Sequence, residues 1–157
     1  DSLDKLYTLG SVDFDSVIII DFGNSLKSVL TSLAFTDVSE NKVLFTTLNQ
    51  WFDESIFYEN TIKSLYYPSV DYKEFHKFKN NYYKTFNIYP TEISILAYDA
   101  VGLIYYLWKK NGNIKSINDF SFKGKIKGKI GTFSFNKTQI TQDLNIYKAE
   151  GNSFTRF

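Results

Sequence analysis

The sequence contains no cysteine, no methionine, one histidine and two prolines among its 157 residues. The lack of cysteine excludes disulfides, thiolate metal sites and cysteine nucleophiles. A serine–histidine triad would need the single imidazole, His76, and no G-x-S-x-G turn accompanies it. The sequence also has neither a Walker A loop nor a G-x-G-x-x-G loop, the two glycine-rich phosphate cradles. We therefore expect a protein that is not an enzyme and that holds no metal and no cofactor.

Long hydrophobic runs and a large net charge are also missing. The longest strong apolar run, Val17–Ile20, is far shorter than the roughly 20 residues of a membrane-spanning helix. The net charge of +1 conceals an asymmetry. Residues 1–60 carry ten acidic residues and three lysines, whereas residues 61–157 carry seven acidic residues and fifteen lysines or arginines. Such a pattern indicates either a solvated surface with uneven lysine usage or a second half that faces a polyanion.

The densest basic segment is Lys123–Lys129, in which lysines alternate with glycine and isoleucine. A nucleic-acid site would use such lysines on phosphates and nearby phenylalanines on bases. An exposed loop and edge strand have the same pattern, because lysine discourages pairing of strand edges. We favour the loop and edge strand, and expect no nucleic acid as a partner.

The first half of the chain predicts a strand–helix–strand unit. Val17–Ile20 is a short β-branched run that we expect to be buried on both faces, as in parallel sheets. Leu26, Val29, Leu30 and Leu33 follow with helical spacing, and Asn24 or Ser25 could cap that helix. Val43–Thr47 is the second strand. Asp21 and Asp53 come just after these strands, where a carboxylate pair would suit a hydrolase, although we favour a binding site.

The second half predicts two further helices and the remaining strands. Asp71 should cap a helix with Glu74 three residues on, and Thr91 should begin another. We expect the helix from Thr91 to be largely buried, because its apolar stripe is wide. That stripe consists of Ile93, Leu96, Ala97, Ala100, Val101, Ile104 and Leu107. With strands over Thr61–Tyr67, Gly131–Phe135 and Leu144–Lys148, the count is about five strands and three helices, which predicts an α/β fold.

Several segments in order resemble a known family. Asp21-Phe22-Gly23 follows the first strand and Trp51-Phe52-Asp53 follows the second. Ala97-Tyr98-Asp99-Ala100-Val101 comes after Pro90, and a Gly-x-x-Gly-x-x-x-Phe strand runs from Gly128 to Phe135. Together they resemble the C-terminal part of type I periplasmic binding proteins, the branched-chain-amino-acid-binding family of ABC transporters. The tail is also similar to the penicillin-binding-protein activator lipoproteins, which share that fold.

The resemblance implies a parallel-sheet, two-lobe fold of which this chain is the C-terminal portion. Residues 1–67 would belong to one lobe, residues 68–125 to the second, and residues 126–157 would cross back. The missing N-terminal half of the same protein would then be a partner, because a portion cut this way leaves apolar faces uncovered. The implied location is the periplasm, although no signal peptide is visible in this chain. The further partner would be a membrane ABC permease or a peptidoglycan synthase.

The resemblance also implies a ligand site in a cleft between the lobes. Its expected occupant is a small polar molecule, such as an amino acid or an amide, and hinge closure would be the working motion. Asp99 we expect to pair within the fold rather than to touch the ligand. The expected ligand-binding residues are Phe22, Gly23, Thr46, Thr47, Asn49, Trp51 and Tyr98.

Overall fold

A computed structural model describes residues 12–59, 63–136 and 139–157. Contacts divide them into two compact units. The first comprises the described residues up to Ser69 together with Asn145–Phe157, and the second is Val70–Leu144. The chain thus rejoins the first unit at Asn145, whereas the expected crossing begins at residue 126. The first eleven residues of the expected first lobe lie outside the described part. No helix among the described residues is long and apolar enough to span a membrane.

Eight strands, three α-helices and two 3₁₀ turns make up the described chain. In order they are β1 (Ser16–Ile19), α1 (Gly23–Phe35), β2 (Leu44–Thr47), a 3₁₀ turn (Glu54–Tyr58), β3 (Leu65–Ser69), α2 (Tyr72–Phe86), α3 (Glu92–Asn111), a 3₁₀ turn (Ile117–Phe120), β4 (Lys125–Lys127), β5 (Thr132–Asn136), β6 (Gln139–Asp143), β7 (Asn145–Glu150) and β8 (Ser153–Arg156). The predicted α/β class is confirmed.

The first unit is built on a five-stranded sheet with the order β1-β2-β3-β7-β8. The first three strands are parallel, and β7 and β8 are antiparallel to their neighbours. The predicted parallel sheet is thus present in part, because the sheet is mixed. The antiparallel end arises from a tight hairpin, in which Gly151 and Asn152 both have positive φ between paired Glu150 and Ser153. Two such residues form the turn that matches the natural twist of a hairpin.

Burial alternates along the strands of this sheet. Ile19 pairs with Thr47 in β1 and β2, and both are buried. The residues that alternate with them along the strands include Ile18 and Leu44, which are exposed, with 71% of Ile18 accessible. The same alternation continues in β7, where Tyr147 is buried and Ile146 is exposed. The prediction that Val17–Ile20 is buried on both faces is thus wrong, because only one face of the sheet is covered by the described residues.

The second unit combines α2 and α3 with the antiparallel sheet β4-β5-β6. The expected cap of α2 is confirmed, since Asp71 Oδ1 accepts a hydrogen bond from the Glu74 N–H at 3.0 Å. Thr91 does precede α3, but its hydroxyl hydrogen-bonds the Ser94 hydroxyl and caps no backbone N–H.

Helix α3 is buried along one narrow line only. The buried residues are four apart, at Ile95, Asp99, Leu103 and Leu107. Of the wide apolar stripe predicted from the sequence, Leu107 alone is buried, and Ile93 and Val101 are strongly exposed. The expectation that this helix is largely buried is therefore wrong. On this line, Leu103 and Leu107 form a small buried cluster with Phe122. The partly buried residues packed against the cluster are Phe120, Ile126, Phe133 and Phe135.

Candidate functional site

The loops after β1 and β2 lie at the same edge of the first unit's sheet. The two strands are parallel, and their last residues, Ile19 and Thr47, are paired in register. The carboxyl ends of neighbouring parallel strands are where open α/β sheets bind ligands. This edge carries most of the expected ligand-binding residues.

A buried glutamine ties the two loops together. Gln50 Nε2 donates a hydrogen bond of 3.0 Å to the carbonyl of Asp21 and a longer one of 3.3 Å to Thr47 Oγ1. Thr47 in turn donates to the carbonyl of Ile19 at 2.7 Å. Because Gln50 and Thr47 are both buried, these bonds form in a region of low dielectric and fix the two loops relative to each other. The sequence interpretation missed Gln50, whose only signal is its position three residues after the strand.

Phe22 and Gly23 form the entry to α1. Phe22 is 53% exposed, and its N–H donates to Asp21 Oδ1 at 2.8 Å. Gly23 has φ +53, and a Cβ there would meet nothing within 4 Å. Glycine is thus favoured by the backbone conformation and not by crowding. The expected cap by Asn24 or Ser25 is wrong, because the helix begins at Gly23, so both residues lie within its first turn, which has no side-chain cap.

The loop after β2 has an unusual backbone. Trp51 and Phe52 both adopt left-handed conformations, with φ of 52° and 60°. Such residues cost about 1–3 kcal/mol each and persist where their surroundings fix them. Here Asn49 Oδ1 accepts the Trp51 N–H at 2.9 Å, and the buried Phe52 ring lies 4.9 Å from Tyr147 and 5.5 Å from Phe154. The half-buried Trp51 is thereby held at the strand-end edge.

The two acidic residues after the strands each accept hydrogen bonds from residues close by in the chain. Asp53 begins the 3₁₀ turn, where its carboxylate accepts from the Ser55 N–H at 2.9 Å and from the Ser55 hydroxyl at 2.8 Å. Asp21 accepts from the Phe22 N–H. Both carboxylates thus serve local backbone turns. The described residues contain no group of three or more side chains able to hold a metal ion.

Two of the expected site residues lie elsewhere. Thr46 alternates with Thr47, so its side chain is on the opposite face of the sheet, where Oγ1 donates to the carbonyl of Val17 at 3.3 Å. Tyr98 belongs to the second unit, on α3, and its exposed ring packs edge-on against Phe78 with centroids 5.1 Å apart. The first unit therefore brings together Phe22, Gly23, Thr47, Asn49 and Trp51, but not these two.

Asp99 stabilises a turn within the second unit. Its buried carboxylate accepts hydrogen bonds from the N–H groups of Lys129 at 2.6 Å and Ile130 at 3.0 Å. A Cβ on Gly128 would lie 2.6 Å from the Phe133 ring, so the turn needs glycine there. The expectation that Asp99 pairs within the fold is confirmed.

Two concavities flank Asp99 in this unit. One, of about 320 Å³, is almost wholly apolar, with walls that include Leu96, Ile104, Phe133 and Ile140. The other is an open cleft of about 510 Å³ between α3 and the Lys125–Lys129 segment. Three of the four lysines in the basic segment, Lys125, Lys127 and Lys129, line the cleft, whereas none lines the apolar cavity.

Comparisons with family models, curated proteins and solved structures find no match to this chain. The resemblance to type I periplasmic binding proteins therefore stays a prediction. What the chain does has to be argued from the geometry of its two units.

Proposed function

We propose that the protein is a non-catalytic periplasmic solute-binding protein of the type I fold that serves a membrane ABC permease. The observation that carries the proposal is the hydrogen bond from the Gln50 amide to the Asp21 carbonyl, which joins the loops after β1 and β2 at one edge of the sheet. This edge combines fixed polar groups with the exposed ring of Phe22, the mixture that small-molecule sites use. We infer that a small ligand binds at this edge of the first unit.

A small polar ligand would be held there by few contacts. The uncapped first turn of α1 offers backbone N–H groups, which suit a carboxylate or carbonyl oxygen. Phe22 and Trp51 would provide apolar walls, and Thr47 and Asn49 would orient polar groups. Tyr98 belongs to the second unit and forms no part of this edge. Thr46, on the other face of the sheet, has no direct role in this proposal.

The uncovered faces support the further proposal that an N-terminal half of the same protein is a partner. In the first unit Ile18, Leu44 and Ile146 are exposed on one face of the sheet, and β1 is its edge strand. In the second unit the apolar side of α3 that includes Ile93 and Val101 is exposed. Burial of such surfaces stabilises by about 25 cal/mol per Å². A second α/β half that supplies strands and helices would cover both.

One observation favours an alternative, that the protein is an activator or scaffold lipoprotein of a peptidoglycan synthase with no transported ligand. The first acidic residue of the loop after β2 is Asp53, and its carboxylate is engaged with Ser55. The stretch from Thr46 to Phe52 thus offers no carboxylate for the ammonium of an amino acid. This favours a neutral ligand such as an amide within the first proposal, or the scaffold.

A thermal-shift screen of the intact protein distinguishes the solute-binding receptor from the scaffold. A receptor present with a ligand at a hundredfold excess over Kd is stabilised by about 2.7 kcal/mol. The Phe22→Ala variant should lose that shift while its melting temperature without ligand changes little. The matched control is Phe35→Ala, which removes a more exposed ring from the other end of α1 and should keep the shift.

Two results would contradict the receptor. No stabilisation by any amino acid, amide, sugar or small acid would favour the scaffold, for which binding of a purified peptidoglycan synthase is the direct measurement. Unfolding of Phe22→Ala without ligand would show that Phe22 belongs to the core and that the site is misplaced.

A further inference from the structure

We propose that the second unit carries a separate binding site for a small aromatic anion, meaning a planar ring that bears a carboxylate or a phosphate. The site is the 510 Å³ cleft between α3 and the segment formed by β4 and its following turn. A volume of this size lies within the range of small-molecule sites. The proposal rests on residues of the second unit alone and is independent of the function proposed above.

Lysines make one side of the cleft basic. Three of them, Lys125, Lys127 and Lys129, line it. Lys125 forms an ion pair with Asp143, whereas Lys127 and Lys129 have no ion pair with any described residue. Asp99 also lines the cleft, but both of its oxygens already accept backbone N–H groups. Two cations are therefore left for an anionic ligand, and each charge-assisted hydrogen bond is stronger than a neutral one.

Two tyrosines make the opposite side aromatic. Tyr98 and Tyr106 both line the cleft, with 57% and 46% of their surfaces exposed. They are eight residues apart on α3, so they lie on one face of the helix about two turns from each other. Phe78 packs edge-on against Tyr98, and Lys110 Nζ lies 6.0 Å from the centre of the Tyr106 ring. Exposed rings that are supported in this way can stack on a planar ligand.

The residue between the tyrosines is a glycine. Gly102 is four residues from each of them and also lines the cleft. A Cβ at this position would meet nothing within 4 Å, and φ is not in the left-handed region. Neither packing nor backbone conformation therefore calls for glycine, although glycine within a helix costs about 1 kcal/mol relative to alanine. Because Gly102 has no side chain, a slot is left between the two tyrosine rings. A ligand ring in this slot explains why glycine occupies the position.

Calorimetric titration of the protein with two probes, AMP and 4-hydroxyphenylacetate, tests the site. We expect at least one probe to bind more tightly than adenosine, which lacks the charge, and than inorganic phosphate and acetate, which lack the ring. Lys127→Gln and Lys129→Gln should each weaken binding about tenfold, the loss of one charge-assisted contact. Lys123→Gln is the matched control, because Lys123 belongs to the same basic segment and is not among the lining residues of the cleft.

The decisive variant is Gly102→Leu. Leucine should fill the slot and abolish probe binding, while the melting temperature stays the same or rises because leucine is a better helix former. Val101→Leu, the next position on the helix and not a lining residue, should leave binding unchanged. Failure of both probes to bind overturns the proposal, as does unchanged binding by Gly102→Leu. Equal weakening by Lys123→Gln, or tight binding of a single-stranded oligonucleotide by Gly102→Leu, would instead indicate a diffuse polyanion surface and would also overturn it.

Discussion

The two units of the chain use similar residues in different ways. Residues 1–69 and 145–157 carry eleven acidic and six basic residues, whereas residues 70–144 carry twelve lysines and six acidic residues. In the first unit Phe52, Tyr67 and Tyr147 form a buried aromatic cluster. In the second unit Phe75 and Phe78 are buried, but other aromatic rings of the helices are exposed beside lysines, as where Lys109 Nζ lies 5.5 Å from the centre of the Trp108 ring.

This difference indicates where the stability of each unit resides. The first unit buries large side chains against one face of a sheet, so its free energy of unfolding depends on ring packing. In the second unit, the long helix α3 is buried along one line only, and a carboxylate, Asp99, occupies a position on that line. The stability of this unit must depend more on satisfied polar contacts, which are costly to leave unpaired when buried. The chain has two tryptophans, Trp51 in the first unit and Trp108 in the second, and each can report on its own unit.

The largest expected effect is on the first unit. Phe52→Ala should lower its free energy of unfolding by about 4 kcal/mol, because a buried ring leaves a cavity among Tyr67, Tyr147 and Phe154. Urea unfolding followed by Trp51 fluorescence in a Trp108→Phe background measures it, and Trp108 in a Trp51→Phe background reports the other unit.

The control for that measurement is Phe35→Ala, an exposed ring whose loss should change the free energy of unfolding by less than about 0.5 kcal/mol. Equal shifts at Trp51 and Trp108 would contradict the comparison, because the two units would then unfold as one.

The next effect is on the second unit. Asp99→Ala removes the acceptor of two backbone N–H groups, those of Lys129 and Ile130, and each unsatisfied donor costs about 1–3 kcal/mol. We expect a loss of about 3 kcal/mol at Trp108 in urea unfolding. Asp143→Ala is the control, because its exposed ion pair with Lys125 contributes about 0–1 kcal/mol. A loss no greater than that of the control would show that the Asp99 contacts do not stabilise this unit.

The sequence could predict those parts of the fold that local pattern specifies. The strand–helix–strand unit and the Asp71 cap depend on residues close in the chain, and both are present in the structure. The mixed sheet could not be predicted, because β3 pairs with β7 about 80 residues later. Such pairing leaves no trace in local periodicity. The exposed second face of the sheet was missed for the same reason, since an apolar run does not say what covers it.

Helix α3 and the strand-end loops show the same limit at the level of side chains. The helix is apolar on most sides, so hydrophobicity alone could not show that the line through Asp99 is the buried one. At the loops, position after a strand correctly placed Phe22, Thr47 and Trp51 at one edge. Position after a strand could not reveal the role of Gln50, because its side-chain amide hydrogen-bonds a carbonyl 29 residues earlier, at Asp21.

Gln50 gives a smaller and more local test of the first unit. Gln50→Ala should lower the free energy of unfolding by about 1–2 kcal/mol, since a buried hydrogen bond to Asp21 is lost. Trp51 fluorescence should shift even without denaturant, because the loop that carries it is released. Gln139→Ala, an exposed glutamine of β6, should do neither. An unchanged Trp51 spectrum in Gln50→Ala would show that the loop is held by other contacts.

The smallest expected effect is a pH dependence in the second unit. It tests whether a second carboxylate there holds a backbone turn, as the Asp99 carboxylate does. Asp119 accepts from the N–H groups of Lys115 at 2.7 Å and Ser116 at 2.8 Å, and these bonds lower the pKa of its carboxyl below the ordinary value. Because folding lowers the pKa of Asp119, the contribution of this carboxylate to stability is fully present above its pKa in the unfolded chain. That contribution is lost as the pH falls through its pKa in the folded protein. The Ser116 amide resonance should therefore titrate at a pH below that of an ordinary aspartate, about 3.9, and should stay constant in Asp119→Asn. A midpoint at or above the ordinary value would mean that the 115–119 turn is not held by its carboxylate, and the reliance on carboxylate–backbone contacts would then be particular to Asp99.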